Sequence, residues 1–242
     1  MTTIIYGRNP VHEALRGERD VHRIWVTPAA AREPWLAGKP GGAEVTRAEN
    51  VEIAALADTD DHQGICAEVS EFVYRDAEGL LTHDDAIVLV LDEIQDPQNL
   101  GSLVRVAECA GATGVVIGER RSAEVTAAVC KASAGAVEHV PIARVTNIAD
   151  YLLLAKNHDA WVYGAAAEGS VRFDVPDYNG KVVMVVGSEG RGLRTRVAAA
   201  CDQLVSIPLL GKIDSLNVST AAAVLLYAVL QDRLQKKTPA DS

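Results

Sequence analysis

The chain has 242 residues, of which 48% are hydrophobic, 5% aromatic and 23% charged, and its formal net charge is −10. This length allows one large or two modest domains whose core is built from Ala, Val, Leu and Ile. The longest apolar runs (86–91, 182–186 and 221–230) are shorter than the about 20 residues that span a bilayer, and the N-terminus lacks a secretory pattern, so we expect a cytoplasmic protein that contacts no membrane.

Charge and cysteine content restrict the possible ligands. The acidic balance counts against a nucleic-acid partner, because phosphate contacts need Lys and Arg, but local clusters matter more than the total. Arg120 and Arg121 form one such cluster, and Arg191, Arg194 and Arg196 form another. The four cysteines form no Cys-x-x-Cys pair, which favours buried free thiols in a reducing compartment. No His or Cys cluster has ligand spacing, so we expect no metal.

Residues 1–73 are predicted to form a small α/β domain. The predicted strands cover 4–6, 23–26, 43–46 and 64–72, and the predicted helices cover 9–15 and 51–57. Asn9 and Asn50 are the predicted caps of these helices. Residues 74–85 are polar and aperiodic, so they are the best linker candidate, and motion of the front domain relative to residues 86–242 is a hypothesis.

Residues 86–242 alternate apolar strands with longer helices. This pattern predicts an α/β domain with a parallel sheet covered by helices on both faces. The predicted strands are 86–91, 115–118, 138–142, 160–165, 182–186 and 204–208, and the predicted helices are 99–110, 123–134, 147–157, 193–200 and 218–235. Ligands of open α/β sheets bind at the carboxyl ends of strands, so we expect the chemistry in the loops after Leu91, Val186 and Leu209.

The first of these loops begins at Asp92 and runs into a helix. Asp96 is predicted to cap that helix and Pro97 to start it. At 100° per residue, Arg105 points away from the predicted core stripe of Leu103, Val106, Ala107 and Ala110. By this pattern alone, Arg105 is a surface arginine and Asn99 a turn residue.

The second and third loops have unusual compositions. In VVGSEGRGL, three glycines surround Glu189 with the spacing G-x-x-G-x-G, which is neither the Rossmann fingerprint nor a P-loop, and a tight turn alone would explain them. In IPLLGKIDSLNVST, Ser215, Asn217 and Ser219 all favour helix N-termini, although capping needs only one of them.

Taken together, Asn99 with Arg105, then GSEGRG, then IPLLGKIDSLNVS resemble the three signature motifs of the SpoU (TrmH) family of RNA ribose methyltransferases, in the SPOUT superfamily. The resemblance covers roughly residues 86–234 and includes CKASAGAVEHVPIARVTNI. The front segment, from IIYGRNPVHEAL to HQGICAEV, is similar to the substrate-binding domain of longer members, which resembles a small RNA-binding ribosomal-protein fold. The whole chain is most similar to members that methylate a guanosine ribose 2′-oxygen of bacterial 23S rRNA.

The resemblance implies a fold, a cofactor and partners. The fold would be a SPOUT domain with a deep trefoil knot, a feature that is very rare in proteins. The cofactor would be S-adenosylmethionine, the substrate 23S rRNA and the assembly a homodimer with active sites near the subunit boundary. By motif position, the cofactor would contact Gly187, Ile207 and Leu216, and the catalytic positions are Asn99, Arg105, Glu189, Ser215 and Asn217.

Some roles and alternatives stay open. A guanidinium keeps its proton, so we expect Arg105 to clamp a phosphate and stabilise the developing alkoxide rather than act as a base. Glu189 is either the base or an organiser of the glycine loop, and Ser215 and Asn217 either position the ribose or hold the knot loop. The alternatives are a tRNA or an rRNA adenosine as the target, or a non-catalytic RNA-binding module. An open-sheet methyltransferase or dehydrogenase fits poorly, because DPQNLG stands where its glycine-rich turn belongs.

Overall fold

Two β-sheets organise the chain, and the computed structural model describes residues 1–37, 40–188 and 190–237. The front sheet has the order β1-β4-β2-β3 among the described residues, with β4 antiparallel to β1 and β2, and β3 parallel to β2. Its strands are β1 (Thr2–Tyr6), β2 (Val21–Val26), β3 (Glu44–Arg47) and β4 (Ile65–Ser70), and the two helices are α1 (Arg8–Ala14) and α2 (Asn50–Ala57).

Both predicted helix caps in this domain are wrong. Helix α1 begins at Arg8, directly after Gly7, whose φ of 98° makes the turn into the helix, so Asn9 lies inside it. Helix α2 begins at Asn50 itself. Its cap is Glu49, which forms a reciprocal capping box with Glu52, and the Glu49 N–H donates to the Glu52 carboxylate at 2.7 Å.

The second sheet has the order β7-β6-β5-β10-β8-β11-β9, and each described pairing in it is parallel. The strands are β5 (Ile87–Asp92), β6 (Gly114–Gly118), β7 (Ile142–Val145), β8 (Ala160–Ala165), β9 (Val171–Arg172), β10 (Lys181–Gly187) and β11 (Gln203–Ser206). This architecture confirms the predicted parallel-sheet α/β domain behind a small front domain. The predicted strand 138–142 is wrong, because a 3₁₀ turn occupies Ala136–Glu138 and β7 starts only at Ile142.

Helices cover the second sheet on both faces. They are α3 (Pro97–Cys109), α4 (Ala127–Ala132), α5 (Ile148–Asn157), α6 (Thr195–Ala200) and α7 (Val218–Lys237). Strand β5 is buried along its whole length, because Leu89 packs in the cluster with α3 and α7 while Val88 and Val90 pack in the cluster with α5 and α6. Asp96 accepts from the Gln98 N–H at 3.0 Å, which confirms the predicted cap of α3. Among the described helices, none is long and apolar enough to cross a membrane.

The four cysteines are free thiols in different environments. Burial raises the pKa of Cys66 and of Cys130 to about 11 each, which matches the expectation of inert core thiols. Cys109 is exposed, so the expectation of burial is wrong there. It follows the buried Ala107 by two positions on α3 and therefore lies off the core-facing stripe.

The predicted linker makes fixed contacts with the second domain. The Arg75 N–H donates to the Ile142 carbonyl at 2.8 Å, and the Tyr74 hydroxyl accepts from the Val125 N–H at 2.9 Å. Leu80 and Leu81 are buried in the core cluster that contains α5. Residues 74–85 are therefore packed against the second domain despite their polar composition.

Buried charge also joins the front domain to the second sheet. Arg19 and Glu138 form an ion pair whose side chains are almost fully buried, and the Arg19 guanidinium lies 5.7 Å from the centre of the Phe72 ring. Lys131 donates from Nζ to the Asp61 carbonyl at 2.9 Å. A charge taken out of water is stable only with a partner, so the Arg19–Glu138 pair favours one orientation of the two domains.

Candidate active site

The three loops singled out in the sequence meet at one edge of the second sheet. They follow strands β5, β10 and β11. In the sheet β5 and β10 are direct neighbours, although the four strands β6 to β9 lie between them in the sequence. A cavity of about 390 Å³ opens there, within the usual range of ligand pockets. Its described lining comes from 165–167, the glycine loop after β10, the loop 205–216 and the first turns of α7.

Four of the predicted site residues border this cavity. Gly187, Ile207 and Leu216, predicted as cofactor contacts, all line it, and Ser215 lies beside Leu216 on the same wall. Ala165, Ala166 and Ala167 line it too, although none of them was predicted as a site residue. A run of small residues at the carboxyl end of β8 was the available signal, since that end of a parallel strand faces the ligand edge.

The glycine loop is closed tightly by its own backbone. The Gly192 N–H donates to the Ser188 carbonyl at 2.9 Å, and these two residues form an isolated antiparallel bridge. A Cβ at Gly187 would lie 2.2 Å from the carbonyl carbon and oxygen of Gly192, so only glycine fits there. Gly190 and Gly192 have φ values of 79° and 65°, which side chains rarely adopt. The predicted catalytic Glu189, inside this loop, lies outside the described residues.

Two carboxylates support the base of the glycine loop. Asp92 is fully buried and accepts from the Arg194 backbone N–H at 2.9 Å and from Arg194 Nε at 2.7 Å. Glu93 is nearly buried, with a φ of 59°, and its Oε1 lies 3.3 Å from Nη1 of Arg121 and 3.7 Å from Nη1 of Arg194. Neither carboxylate was predicted as a site residue, although Asp92 ends a fully buried strand and Glu93 directly follows it.

A second, polar cavity of about 330 Å³ adjoins the first. The described residues that line it are Glu93, Ile94, Gln95, Asp96, Asn99, Ser188 and Arg191. Ser188 lines both cavities, so the backbone after β10 is the wall between them. Two ligands bound in these cavities would therefore be neighbours.

Asn99 and Asn217, both predicted as catalytic, are in direct contact. Asn217 donates from Nδ2 to Oδ1 of Asn99 at 3.1 Å. The Asn217 Oδ1 also accepts from the N–H of Ser219 at 2.9 Å, so the same side chain caps α7. Capping and the contact with the first loop are thus functions of one residue.

Arg105 is placed apart from these residues. It is exposed on α3, and among the residues that the structure describes it belongs to neither cavity wall. A single chain therefore does not bring the predicted Arg105 to the two cavities. As for metals, the described ranges hold no group of three or more His, Cys, Asp or Glu side chains that could bind an ion.

Comparison with known proteins yields two family matches that together cover most of the chain. The model of the "SpoU rRNA Methylase family" matches residues 86–227, and that of "RNA 2'-O ribose methyltransferase substrate binding" matches residues 4–75. YacO of Bacillus subtilis, named as a TrmH family tRNA/rRNA methyltransferase, is 36% identical over 95% of this chain and 95% of its own. The tRNA/rRNA methyltransferase slr0955 of Synechocystis is 36% identical over 95% of this chain. The present chain spans only 62% of the length of slr0955.

The fold likewise matches a solved structure. The SpoU methyltransferase AviRb from Streptomyces viridochromogenes, solved in complex with the cofactor AdoMet, aligns with a TM-score of 0.82 at 21% identity. The alignment covers 96% of this chain and 91% of AviRb. At this identity the likeness concerns the fold, and it includes both domains.

Proposed function

The chain belongs to the SpoU rRNA methylase family and is an RNA methyltransferase that uses S-adenosylmethionine, and on this premise we propose that it methylates a ribose 2′-hydroxyl, in a guanosine of 23S rRNA. The observation that carries the proposal is the pair of adjoining cavities that share Ser188. One is apolar and glycine-lined, and the other is polar and contains Asn99. Such a pair suits a transfer between two bound molecules, because transfer requires the reacting atoms to be held in contact.

The residues of the first cavity fit the cofactor. Its described wall combines small side chains with the backbone of Gly187, where a Cβ is excluded because it would clash with Gly192. Gly187, Ile207 and Leu216 would hold the cofactor, largely through backbone groups. When bound, the cofactor supplies an activated methyl group.

The second cavity would take the target nucleotide. Asn99, fixed by its contact with Asn217, would orient the ribose hydroxyl, and Ser215, in the wall of the first cavity, would help to position the ribose. Arg105 would clamp a neighbouring phosphate through its guanidinium and stabilise the developing alkoxide, while the proton leaves to phosphate or water. Glu189 as the base, or as an organiser of the glycine loop, remains part of this proposal.

A homodimer would bring Arg105 to an active site. Arg105 faces away from its own core, and the loop that ends in the third motif exposes apolar side chains, with Leu210 at 98% and Ile213 at 74% exposure. An apolar loop of this kind favours burial against a partner. In a symmetric dimer, each Arg105 would then serve the site of the partner subunit. Sedimentation as a monomer at micromolar concentration would contradict this proposal.

The deep trefoil knot is also a proposal for this chain. It rests on family membership, with the loops after β10 and β11 as the segments that would be threaded. A crystal structure in which the backbone of residues 160–237 passes through no loop of the same chain would contradict this proposal.

Methyl transfer to defined RNAs tests the function. Purified 23S rRNA and bulk tRNA are each incubated with labelled S-adenosylmethionine and either the wild-type chain, Arg105→Ala or Glu108→Ala. The last variant is the control, because Glu108 is exposed on the same helix. We expect label in rRNA as 2′-O-methylguanosine, its loss in Arg105→Ala and its retention in Glu108→Ala. Label in tRNA alone, or on adenosine, would contradict the substrate. Cofactor binding without label in either RNA would favour a non-catalytic RNA-binding module.

A further inference from the structure

A buried carboxylate with no part in the mechanism above lies next to the cofactor cavity. Asp92, the last residue of β5, has 0% exposure and accepts hydrogen bonds from the backbone and side chain of Arg194, which lies 102 positions later in the chain. A charge removed from water in this way must be compensated by partners, so this contact has to persist for the folded site to be stable.

The contact closes the glycine loop at its base. In the sheet, Asp92 is the register partner of Gly187, the first residue of the loop. Its carboxylate binds Arg194, the residue with which the loop ends and which sits at the N-terminus of α6. The segment 187–194 therefore begins beside Asp92 in the sheet and ends on its carboxylate, outside the smaller closure between Ser188 and Gly192.

The geometry of the contact fixes orientation as well as distance. The backbone N–H of Arg194 reaches Oδ2 at 2.9 Å while its Nε and Nη2 both reach Oδ1 at 2.7 Å. Side chain and backbone of one residue thus bind the two oxygens of one carboxylate, which leaves little rotational freedom. The Arg194 side chain remains 47% exposed, so the arginine is in contact with solvent while its partner Asp92 is fully buried.

We propose that Asp92 is a positioning residue that holds the glycine loop, through Arg194, in the conformation that binds S-adenosylmethionine. The inference rests on the proposed function only in taking the first cavity as the cofactor site. If the loop is already ordered before the cofactor binds, less conformational entropy is lost on binding, so we expect the contact to increase cofactor affinity. Asp92 itself does not line the cavity among the described residues, and it acts only through the loop.

Calorimetric titration with S-adenosylmethionine tests the proposal, using wild type, Asp92→Asn, Arg194→Gln and the double variant. We expect each single variant to raise the Kd roughly tenfold, which corresponds to a loss of about 1.4 kcal/mol of binding free energy. Because the two residues act as one unit, the double variant should bind S-adenosylmethionine no more weakly than the single variant with the higher Kd. Hydrogen exchange of amides in 187–194 should accelerate in all three variants.

The control is the other buried ion pair, at the contact between the domains. Arg19→Gln breaks the pair with Glu138 and should lower the melting temperature while leaving the Kd and the loop exchange unchanged. An equal rise of the Kd in Arg19→Gln would show general destabilisation and overturn the proposal, as would wild-type affinity in Asp92→Asn.

A second variant keeps the test decisive if Asp92→Asn does not fold. Arg194→Lys retains the charge and the backbone N–H but loses the guanidinium geometry, so an intermediate Kd is expected and wild-type affinity would contradict the proposal. A wild-type chain that bound no cofactor would instead overturn the proposed function, and this inference with it.

Discussion

Asn217 donates a hydrogen bond to Asn99 at 3.1 Å across 118 residues of chain. The contact joins the first turn of α3 to the residue before α7, and so connects the first signature motif to the third. Asn99 lines the polar cavity, while Ser215 and Leu216, just before Asn217, line the apolar one. This contact therefore links the wall of the polar cavity to the segment that lines the apolar one.

Substitutions of Asn217 should separate its two functions. Asn217→Ala loses the α7 cap, at a cost of about 1 kcal/mol in unfolding free energy, together with the contact to Asn99. Asn217→Ser keeps a capping oxygen but is too short to reach Asn99. We expect both variants to lose methyl transfer and only the alanine variant to lose stability in urea unfolding. Full activity of Asn217→Ser would mean that the Asn99 contact is dispensable.

Arg105→Lys should behave almost as poorly as Arg105→Ala. A lysine keeps the charge but cannot form the planar bidentate contact to a phosphate, so kcat should fall by roughly 10²-fold while cofactor affinity stays unchanged. Single-turnover kinetics beside a cofactor titration would measure this. Near-full activity of the lysine variant would refute bidentate clamping, and Glu108→Ala is the control for altering this face of α3.

Mixing two inactive variants should restore activity if Arg105 serves the site of the partner subunit. In a heterodimer of Arg105→Ala and Ser215→Ala subunits, one site keeps its own Ser215 and receives an intact Arg105 from the other subunit. We expect partial recovery of methyl transfer after the two proteins exchange subunits. If differently tagged subunits exchange without recovery, Arg105 acts within its own chain or not at all.

Gly187→Ala should abolish cofactor binding. The added Cβ would lie 2.2 Å from backbone atoms of Gly192, which cannot move without opening the loop. Gly111→Ala is a matched control, because a Cβ there meets nothing within 4 Å and only the φ of 72° is unfavourable, at about 1 kcal/mol. Equal cofactor affinity of the two variants in a calorimetric titration would contradict the tight closure.

The contact between the domains should weaken in acid through Glu13. Burial alone would raise the pKa of Glu13, but His139 at 2.6 Å and Arg16 at 3.0 Å bring that pKa below its ordinary value of 4.5, and His12 lies 3.8 Å away. Because the folded pKa is lowered, the carboxylate stabilises the fold above pH 4.5, and this contribution is lost as the pH falls through the lowered pKa.

Glu13→Gln should therefore lower the melting temperature at pH 7, and the difference from wild type should shrink below pH 4.5. Calorimetric scans between pH 3 and pH 7, a range of about four units chosen to bracket carboxyl titration, would measure this. Glu78→Gln, in the more exposed pair with His158, should have little effect at any pH. A pH-independent difference for Glu13→Gln would contradict the assignment.

Much of the fold could be predicted from local patterns. The period of apolar residues placed five of the seven strands of the second sheet, and Asp96 with Pro97 marked the start of α3, because periodicity and capping depend on residues within a few positions of each other. Local patterns failed where neighbours outside the element decide. The two-residue β9 is defined only by its pairing with β11. Cys109 is a different case, because the periodicity of α3 itself places it off the core-facing stripe although it was expected inside.

The amino-acid sequence by itself determined the three loops, their order and their placement at strand ends, and through the motifs it identified the family. Only the tertiary structure decided that β10 lies beside β5, which brings Gly187 to Asp92 and Arg194 to the same carboxylate. It also decided that Asn99 meets Asn217 and that Arg105 does not join them in one chain. The physical reason is that strand order results from the packing of the whole sheet, so contacts across 100 or more residues leave no periodic signal near either partner.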